Sequence, residues 1–368
     1  MDFTTDETTA ELTRLARSIV TKLSTPERVA ELESANAPID TALWQALGAA
    51  GLIGLELPAD LAGVGGGQSA VDTVAVATEV GRGLGVVPFA STAIAVLPTL
   101  AGWAGEAREN WLARVGSGGA VIAAAVDEDL GYDPAAPAAT SLTDGVLRGT
   151  KVNVAFAKAA DAFLVTAQGQ AGPVAVLIDA DAPGLRITPT PSTGLLPTAQ
   201  VDFAGVAAPP AVIVVDGAEA VAALVDRLTL AACAEQCGIL DEALRQTADY
   251  AREREQFDRK IGSFQAVAQR LADAYIDVQG LLLTTTQAAW LLSVGIEAGA
   301  AIDTAKFWTG RAGHRVGHTA IHVHGGVGLD TSHPVHRYFL RAKQNEFALA
   351  GEPAILARLG DRIAAESD

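Results

Sequence analysis

The sequence predicts a mostly helical α+β chain in three parts. These are an N-terminal helical domain over 1–116, a middle antiparallel β-barrel over 117–217 and a C-terminal four-helix bundle over 218–368. Three observations predict it. Apolar residues recur at helical spacing before about residue 115 and again after 217. Between them, beyond the break at Gly116-Ser117-Gly118-Gly119, come short β-branched runs separated by Gly, Pro and Asp. Finally, 368 residues of which 49% are apolar suffice for a large core.

In the first part, 8–22 and 41–50 read as amphipathic helices, and 71–87 as a nearly all-apolar helix marked for burial. Gly63-Val64-Gly65-Gly66-Gly67 has neither the preceding strand nor the following Lys-Ser/Thr of a phosphate loop, so it reads as a flexible connector. In the second part, 121–126, 146–150, 162–167, 173–178, 185–188, 200–203 and 211–215 read as strands at barrel-like spacing. In the third, 218–252, 263–295, 300–323, 334–348 and 352–366 read as helices, with Ser263 as the N-cap of the second.

The net charge of −17 opposes nucleic acid and anionic lipid as partners. No apolar run reaches the length of a membrane span, and the acidic start Met1-Asp2-Phe3-Thr4-Thr5-Asp6-Glu7 lacks signal-peptide features. A cytoplasmic protein, with no nucleic acid and no membrane, is the expectation. Cys233 and Cys237, four apart and without further ligands, read as small core residues. His314, His318 and His322 share a helix face, but no acid or cysteine completes a site, so no metal is expected.

The densest basic group, Arg252, Arg254, Arg259 and Lys260, lies in the turn between the two longest helical runs. Gln256, Phe257, Phe264 and Gln265 accompany it, side chains that a mere connector would not need. Downstream follow His322-Val323-His324-Gly325-Gly326-Val327-Gly328, then Pro334, Arg337, Ala342 and Lys343.

R-x-x-F-x-x-x-I-x-x-F-Q from Arg254 to Gln265, followed by the Gly-Gly-x-Gly and P-x-x-R-x-x-x-x-A-K stretches, closely resembles the C-terminal half of the acyl-CoA dehydrogenase family. Stretches 250–290 and 333–351 look most like the shorter, base-lacking subunits of actinobacterial heterotetrameric steroid side-chain acyl-CoA dehydrogenases. The resemblance implies the acyl-CoA dehydrogenase fold and an FAD shared across a subunit interface. It also implies an α2β2 heterotetramer with a second subunit of the family, an acyl-CoA substrate and an electron-transfer acceptor. The reaction would be α,β-dehydrogenation, of the kind used in β-oxidation and steroid degradation.

Residue by residue, the resemblance gives Arg254 the FAD pyrophosphate and places Gln256, Phe257, Phe264 and Gln265 beside it. Gly325 and Gly326 match the glycines that let the backbone approach the nucleotide. His322 stands where the family usually has Gln, and Asp258 where it usually has Gly. The competing structural reading is a helix C-cap at Gly325-Gly326 and a satisfied core histidine at His322.

The flavin side departs from the family. Its Thr-Glu-Pro-x-x-Gly-Ser stretch reads here Val126-Asp127-Glu128-Asp129-Leu130-Gly131-Tyr132, and Asp127 puts negative charge where the reduced ring becomes anionic. The family's G-x-K-x-W-I reads Gly149-Thr150-Lys151-Val152-Asn153-Val154, with Asn153 replacing the flavin-packing Trp. The catalytic glutamate's place falls on Leu349 or Ala350, flanked by Glu346 and Glu352. A minority of the family carries its base just before an Arg-Leu, here Asp226, whose structural reading is an exposed helix charge.

The expected function is therefore a subunit supplying the ADP half of a shared FAD site while a partner supplies the base, the chain alone being inactive. One alternative is a self-sufficient homo-oligomeric flavoenzyme with Asp226 or Glu352 as base. A second is a non-catalytic scaffold without flavin.

Overall fold

The computed structural model describes residues 3–129 and 133–366. The N-terminal part holds α1 (Glu7–Leu23), α2 (Pro26–Ser34), α3 (Thr41–Ala49) and α4 (Ala70–Arg82). Then come α5 (Phe89–Ser91), a π turn (Thr92–Val96), α6 (Leu97–Ala101) and α7 (Arg108–Gly116). Asp6, Thr25, Asp40 and Ser69 cap α1 to α4 by accepting from backbone N–H groups. At α4, Ser69 and Asp72 form a reciprocal capping box, and Asp72 also accepts from the Thr9 hydroxyl at 2.6 Å, tying α1 to α4.

The helix predicted over 71–87 stops at Arg82, because Gly83 follows and Leu84 adopts a φ of +52°. The Gly63–Gly67 stretch is not a flexible connector. Gly66 and Gly67 donate to the Gly54 and Leu57 carbonyls, and a Cβ on Gly65 would fall 1.7 Å from the Pro58 oxygen. Its glycines permit close backbone packing, which the composition alone does not distinguish from mobility.

The middle part is one eight-stranded sheet. Its strands are β1 (Ile122–Ala125), β2 (Ser141–Thr143), β3 (Val146–Ala155), β4 (Ala162–Gln168), β5 (Pro173–Asp179), β6 (Leu185–Thr190), β7 (Thr198–Ala207) and β8 (Ile213–Asp216). The order is β6-β7-β3-β2-β4-β5-β8, with β1 added on β4. The expectation of a purely antiparallel barrel needs correction at two pairings: β1 pairs with β4 in parallel, Ile122 opposite Ala162, and β2 meets β4 in parallel at Ser141 and Gln168. Parallel pairing requires a crossover, and the chain between these strands supplies one through β2 and β3. The short strand β2 is also additional to the runs that composition marks. The sheet surrounds its own core of Leu147, Phe163, Val165, Val176, Val201 and Phe203, all buried.

The C-terminal part is α8 (Ala218–Glu253), α9 (Gln265–Ser293), α10 (Gly299–His324), α11 (Val335–Phe347) and α12 (Glu352–Glu366), packed around Leu240, Val278, Leu281, Val316 and Ala342. At 36 residues, α8 is about 54 Å long and touches every other part of the molecule. It crosses α4 at backbone contact: a Cβ on Gly238 would meet the Thr78 oxygen at 1.8 Å. Ser263 is not the N-cap of α9. Its hydroxyl donates to the Lys260 carbonyl, and α9 begins at Gln265 after a short 3₁₀ turn. Helix α12 is fastened to α10 by Arg358 and Arg362, both bonded to the fully buried Asp303. Among the described residues no helix is long and apolar enough to cross a membrane, and no cluster could hold a metal ion.

Candidate functional site

Between α8 and α9 the chain makes a two-stranded hairpin, β9 (Glu255–Gln256) with β10 (Arg259–Lys260), Gln256 opposite Arg259. Its two-residue turn puts Phe257 at φ +54° and Asp258 at φ +59°. Positive φ at both turn positions favours Gly at the second, where Asp258 stands as one of the few other residues that tolerate the left-handed region. It is costly for a phenylalanine, yet Phe257 is held there 86% exposed. The ring meets Phe264 edge-on at 6.2 Å, and the Arg259 guanidinium lies 3.9 Å over Phe264.

Half of the basic patch is neutralised within the chain. Arg252 pairs with Asp249 at 2.8 Å and Lys260 with Glu255 at 2.7 Å. Arg254 is exposed, and among the described residues its guanidinium has no hydrogen-bond or ion-pair partner. Gln256 and Gln265 are exposed beside it.

The second motif ends α10. His322 is exposed, so it is not a core histidine; that place belongs to His324, 3% exposed. His324 Nδ1 lies 2.8 Å from the Ala320 carbonyl, which can only accept, so the proton is on Nδ1. Burial pushes the His324 pKa down, keeping the ring neutral. The ring stacks on Tyr250, centroids 4.5 Å apart. Since Tyr250 is one helical turn before Arg254, this stack sets the two motifs side by side. Gly325 caps α10 at φ +61° and ψ −134°, as the structural reading expects. Gly326 lacks that positive φ, and a Cβ on either glycine would meet nothing among the described residues within 4 Å.

A cleft of about 380 Å³ opens between the sheet, α8 and α11. Its walls include Val80, Val87, Ala90, Leu228, Ala232 and Leu349. Asp127, two residues past β1, and Asn153 of β3 face it. The β3–β7 register shifts between Lys151 and Val154, and Asn153 sits in that bulge at φ +54°. Burial pushes the Asp127 pKa up, against the pull of Lys151 and Lys306. Its carboxylate makes no hydrogen bond or ion pair among the described residues. Leu130, Gly131 and Tyr132, the end of that predicted flavin stretch, lie outside the described residues.

Behind Asp127, Glu128 accepts from the backbone N–H groups of Ala138, Ala139 and Thr140 at 2.7–2.8 Å. It also pairs at 2.9 Å with Lys151, whose side chain is fully buried. Burial alone would lift the Glu128 pKa, but the Ala139 N–H and Lys151 outweigh it and hold it at about 2. Lys151 further donates to the Val126 carbonyl and the Thr166 hydroxyl, so its charge is consumed structurally.

Neither candidate base lines the cleft. The cleft face of α8 carries Leu228, Ala231, Ala232 and Glu235, and Asp226 is two residues from Leu228, on the far side of the helix. Asp226 is not an exposed helix charge either. It is half-buried against Asp303, Arg358 and Arg362, and burial, reinforced by Asp303, pushes its pKa up to about 6. Glu352 begins α12 and lies 3.6 Å from Arg311. Leu349, at φ +64°, occupies the cleft where the resemblance would place a glutamate.

The carboxylate that sequence reading missed is Glu235. It faces the cleft and is held at 3.1 Å by the buried Arg341, which also donates to the Gly194 carbonyl at 3.0 Å. The 228-231-232-235 spacing was the available signal.

Family profiles match most of the chain: "Acyl-CoA dehydrogenase, N-terminal domain" at residues 6–119 and "Acyl-CoA dehydrogenase, C-terminal domain" at residues 216–362. Acyl-CoA dehydrogenase FadE27 of Mycobacterium tuberculosis is 43% identical, over 99% of this chain and 99% of its own. Acyl-CoA dehydrogenase FadE28 of the same organism is 35% identical over 87% and 91%. A chain of the ChsE4-ChsE5 complex from Mycobacterium tuberculosis superposes with a TM-score of 0.92 at 41% identity, covering 99% of both chains. A chain of the Tcur3481-Tcur3483 steroid ACAD superposes at 0.90 with 35% identity, covering 98% of both.

Proposed function

From the premise that the chain belongs to the acyl-CoA dehydrogenase family, we propose that it is one subunit of a heteromeric FAD-dependent acyl-CoA dehydrogenase. It contributes the ADP half of a shared FAD site, and a second family subunit carries the flavin-facing barrel and the base. The substrate is an acyl-CoA, with a steroid side-chain thioester as the favoured class. The neighbours described as a ChsE4-ChsE5 complex and as a steroid ACAD support this choice of partner and substrate.

The observation that carries the reading is an asymmetry between two surfaces of one chain. At the hairpin, an unpaired guanidinium, a solvent-held aromatic ring and a glycine with open space beside it fit a pyrophosphate and an adenosine from outside the chain. At the cleft, an unpaired carboxylate, an asparagine in place of an aromatic platform and a leucine in place of a base do not fit a reducible flavin ring or proton abstraction.

When bound, FAD accepts the hydrogen leaving the substrate β-carbon while a base takes the α-proton. This chain's part is binding and orientation. Arg254 offers a planar fork to two phosphate oxygens, Phe257 and Phe264 flank it, and Gln265 and His322 supply polar groups to the nucleotide. Gly325 and Gly326 keep side chains out of its way. Reoxidation falls to an electron-transfer acceptor.

Flavin absorbance per chain, measured for the chain expressed alone and then with a second family subunit, tests this. One FAD per pair, seen only on co-expression, is expected. Near one FAD per chain in the lone protein would overturn it in favour of a homo-oligomeric enzyme. No flavin in either preparation would favour the scaffold reading.

A further inference from the structure

The geometry points to a second ligand site in this chain: its own cleft binds a neutral apolar alcohol, whose hydroxyl donates to Asp127. This goes beyond the proposed half-site and rests on it, because the cleft must be free of flavin. At about 380 Å³ the space falls within the roughly 300–1,000 Å³ usual for small-molecule pockets, with mostly aliphatic walls.

The polar groups decide what enters. Lys343 faces the cleft, but its ammonium is taken by Glu346 at 2.6 Å and by His314 at 3.2 Å. Gln344 Oε1 accepts from the Gly194 N–H at 2.8 Å, and Glu235 is held by Arg341. Asp127 keeps its whole carboxylate uncommitted among the described residues, and Asn153, which also faces the cleft, keeps its amide without a partner there. A ligand that donates one hydrogen bond satisfies Asp127, which matters because an acceptor left unmatched when a ligand displaces its water is costly.

Charge narrows the choice further. Asp127 faces the space without an ion-pair partner among the described residues and repels an anion such as a fatty carboxylate, while Glu235 is neutralised by Arg341. Lys151 and Lys306 act on Asp127 from behind, which weakens its pull on a cation. A hydroxyl on an apolar body is the remaining match.

Equilibrium dialysis of the full-length chain against radiolabelled 1-dodecanol, dodecanoate and dodecylammonium, all kept below their aggregation limits, tests the site. Flavin absorbance is recorded on the same sample. The expected result is one dodecanol per chain, with both charged analogues bound at least roughly tenfold more weakly. Asp127→Leu should weaken dodecanol roughly tenfold, the effect of losing a hydrogen bond to a charged acceptor. Asp127→Asn keeps an acceptor and should retain dodecanol while dodecanoate binding rises.

Absence of dodecanol binding, equal binding of dodecanoate, or unchanged dodecanol affinity in a folded Asp127→Leu chain would each overturn the proposal. If the lone chain instead carries stoichiometric flavin, the half-site reading fails and this site fails with it. Neither flavin nor alcohol bound leaves the half-site reading intact and sinks this one alone.

Discussion

The ring of Tyr250 stacks on that of His324 at 4.5 Å with an interplanar angle of 23°. It joins the end of α8, which delivers Arg254, to the end of α10, which delivers Gly325 and Gly326. Two sequence motifs about seventy residues apart thereby become one surface. Tyr250→Ala removes this packing and should destabilise the chain by about 1–3 kcal/mol, read as a shift in denaturation midpoint. Flavin retention by the assembled complex should fall alongside, while Tyr250→Phe, which keeps the ring, should preserve both.

The Arg254 side chain has no partner among the described residues, so its replacement should leave thermal stability within about 0.5 kcal/mol of the parent. Flavin retention in the complex should nonetheless drop at least about tenfold for Arg254→Ala. Arg254→Lys should recover only part of it, because an ammonium lacks the two-pronged geometry. Gel filtration followed by flavin absorbance measures both.

The two glycines separate structure from binding. Gly325→Ala forces a side chain into φ +61°, ψ −134° and should cost about 1–3 kcal/mol of stability. Gly326→Ala faces open space and should be neutral in the free chain, yet should weaken flavin retention in the complex. Equal stability losses for both variants would contradict this division.

Lys151→Met leaves Glu128 buried without its cation and should cost about 3–5 kcal/mol, enough to prevent soluble expression. Pairing it with Glu128→Gln should recover a good part of that loss. A double variant no more stable than the single would show that the ion pair does not organise the loop before β2.

Acid stability should show two opposed contributions. The Asp226 pKa is raised in the folded chain, from 3.8 to about 6, so the native state holds its proton more tightly. Its contribution to stability is therefore lost as pH rises from about 4 to 6, and the penalty persists above that. The Glu128 pKa is lowered from 4.5 to about 2, so its contribution is present above pH 4.5 and is lost as pH falls toward 2. Asp226→Asn should thus gain on the order of 1–2 kcal/mol more at pH 8 than at pH 4. The same variant should leave dehydrogenation by the complex unchanged, and a loss of several orders of magnitude would restore Asp226 as base.

The sequence by itself determined the helix–sheet–helix order and the family, and it singled out the basic, aromatic turn and the Gly-Gly stretch as the candidate nucleotide motif. These are local properties. Periodicity follows from 3.6-residue and two-residue repeats, and the turn chemistry from residues a few positions apart, as at Phe257-Asp258. Tertiary structure decided which side chains are free and which are spent. Of four basic residues around the hairpin, it paired Arg252 and Lys260 with carboxylates, placed Arg259 on Phe264 and left Arg254 without a partner among the described residues. It sent Asp226 toward α12 and turned Glu235 toward the cleft, although both are carboxylates on one helix. It exposed His322, against the competing reading of a core histidine, and buried His324. It also paired β1 with β4 in parallel, across some forty residues. Each outcome depends on partners distant in the chain, and desolvation and ion pairing there set the charge and reach of a group that local sequence can only name.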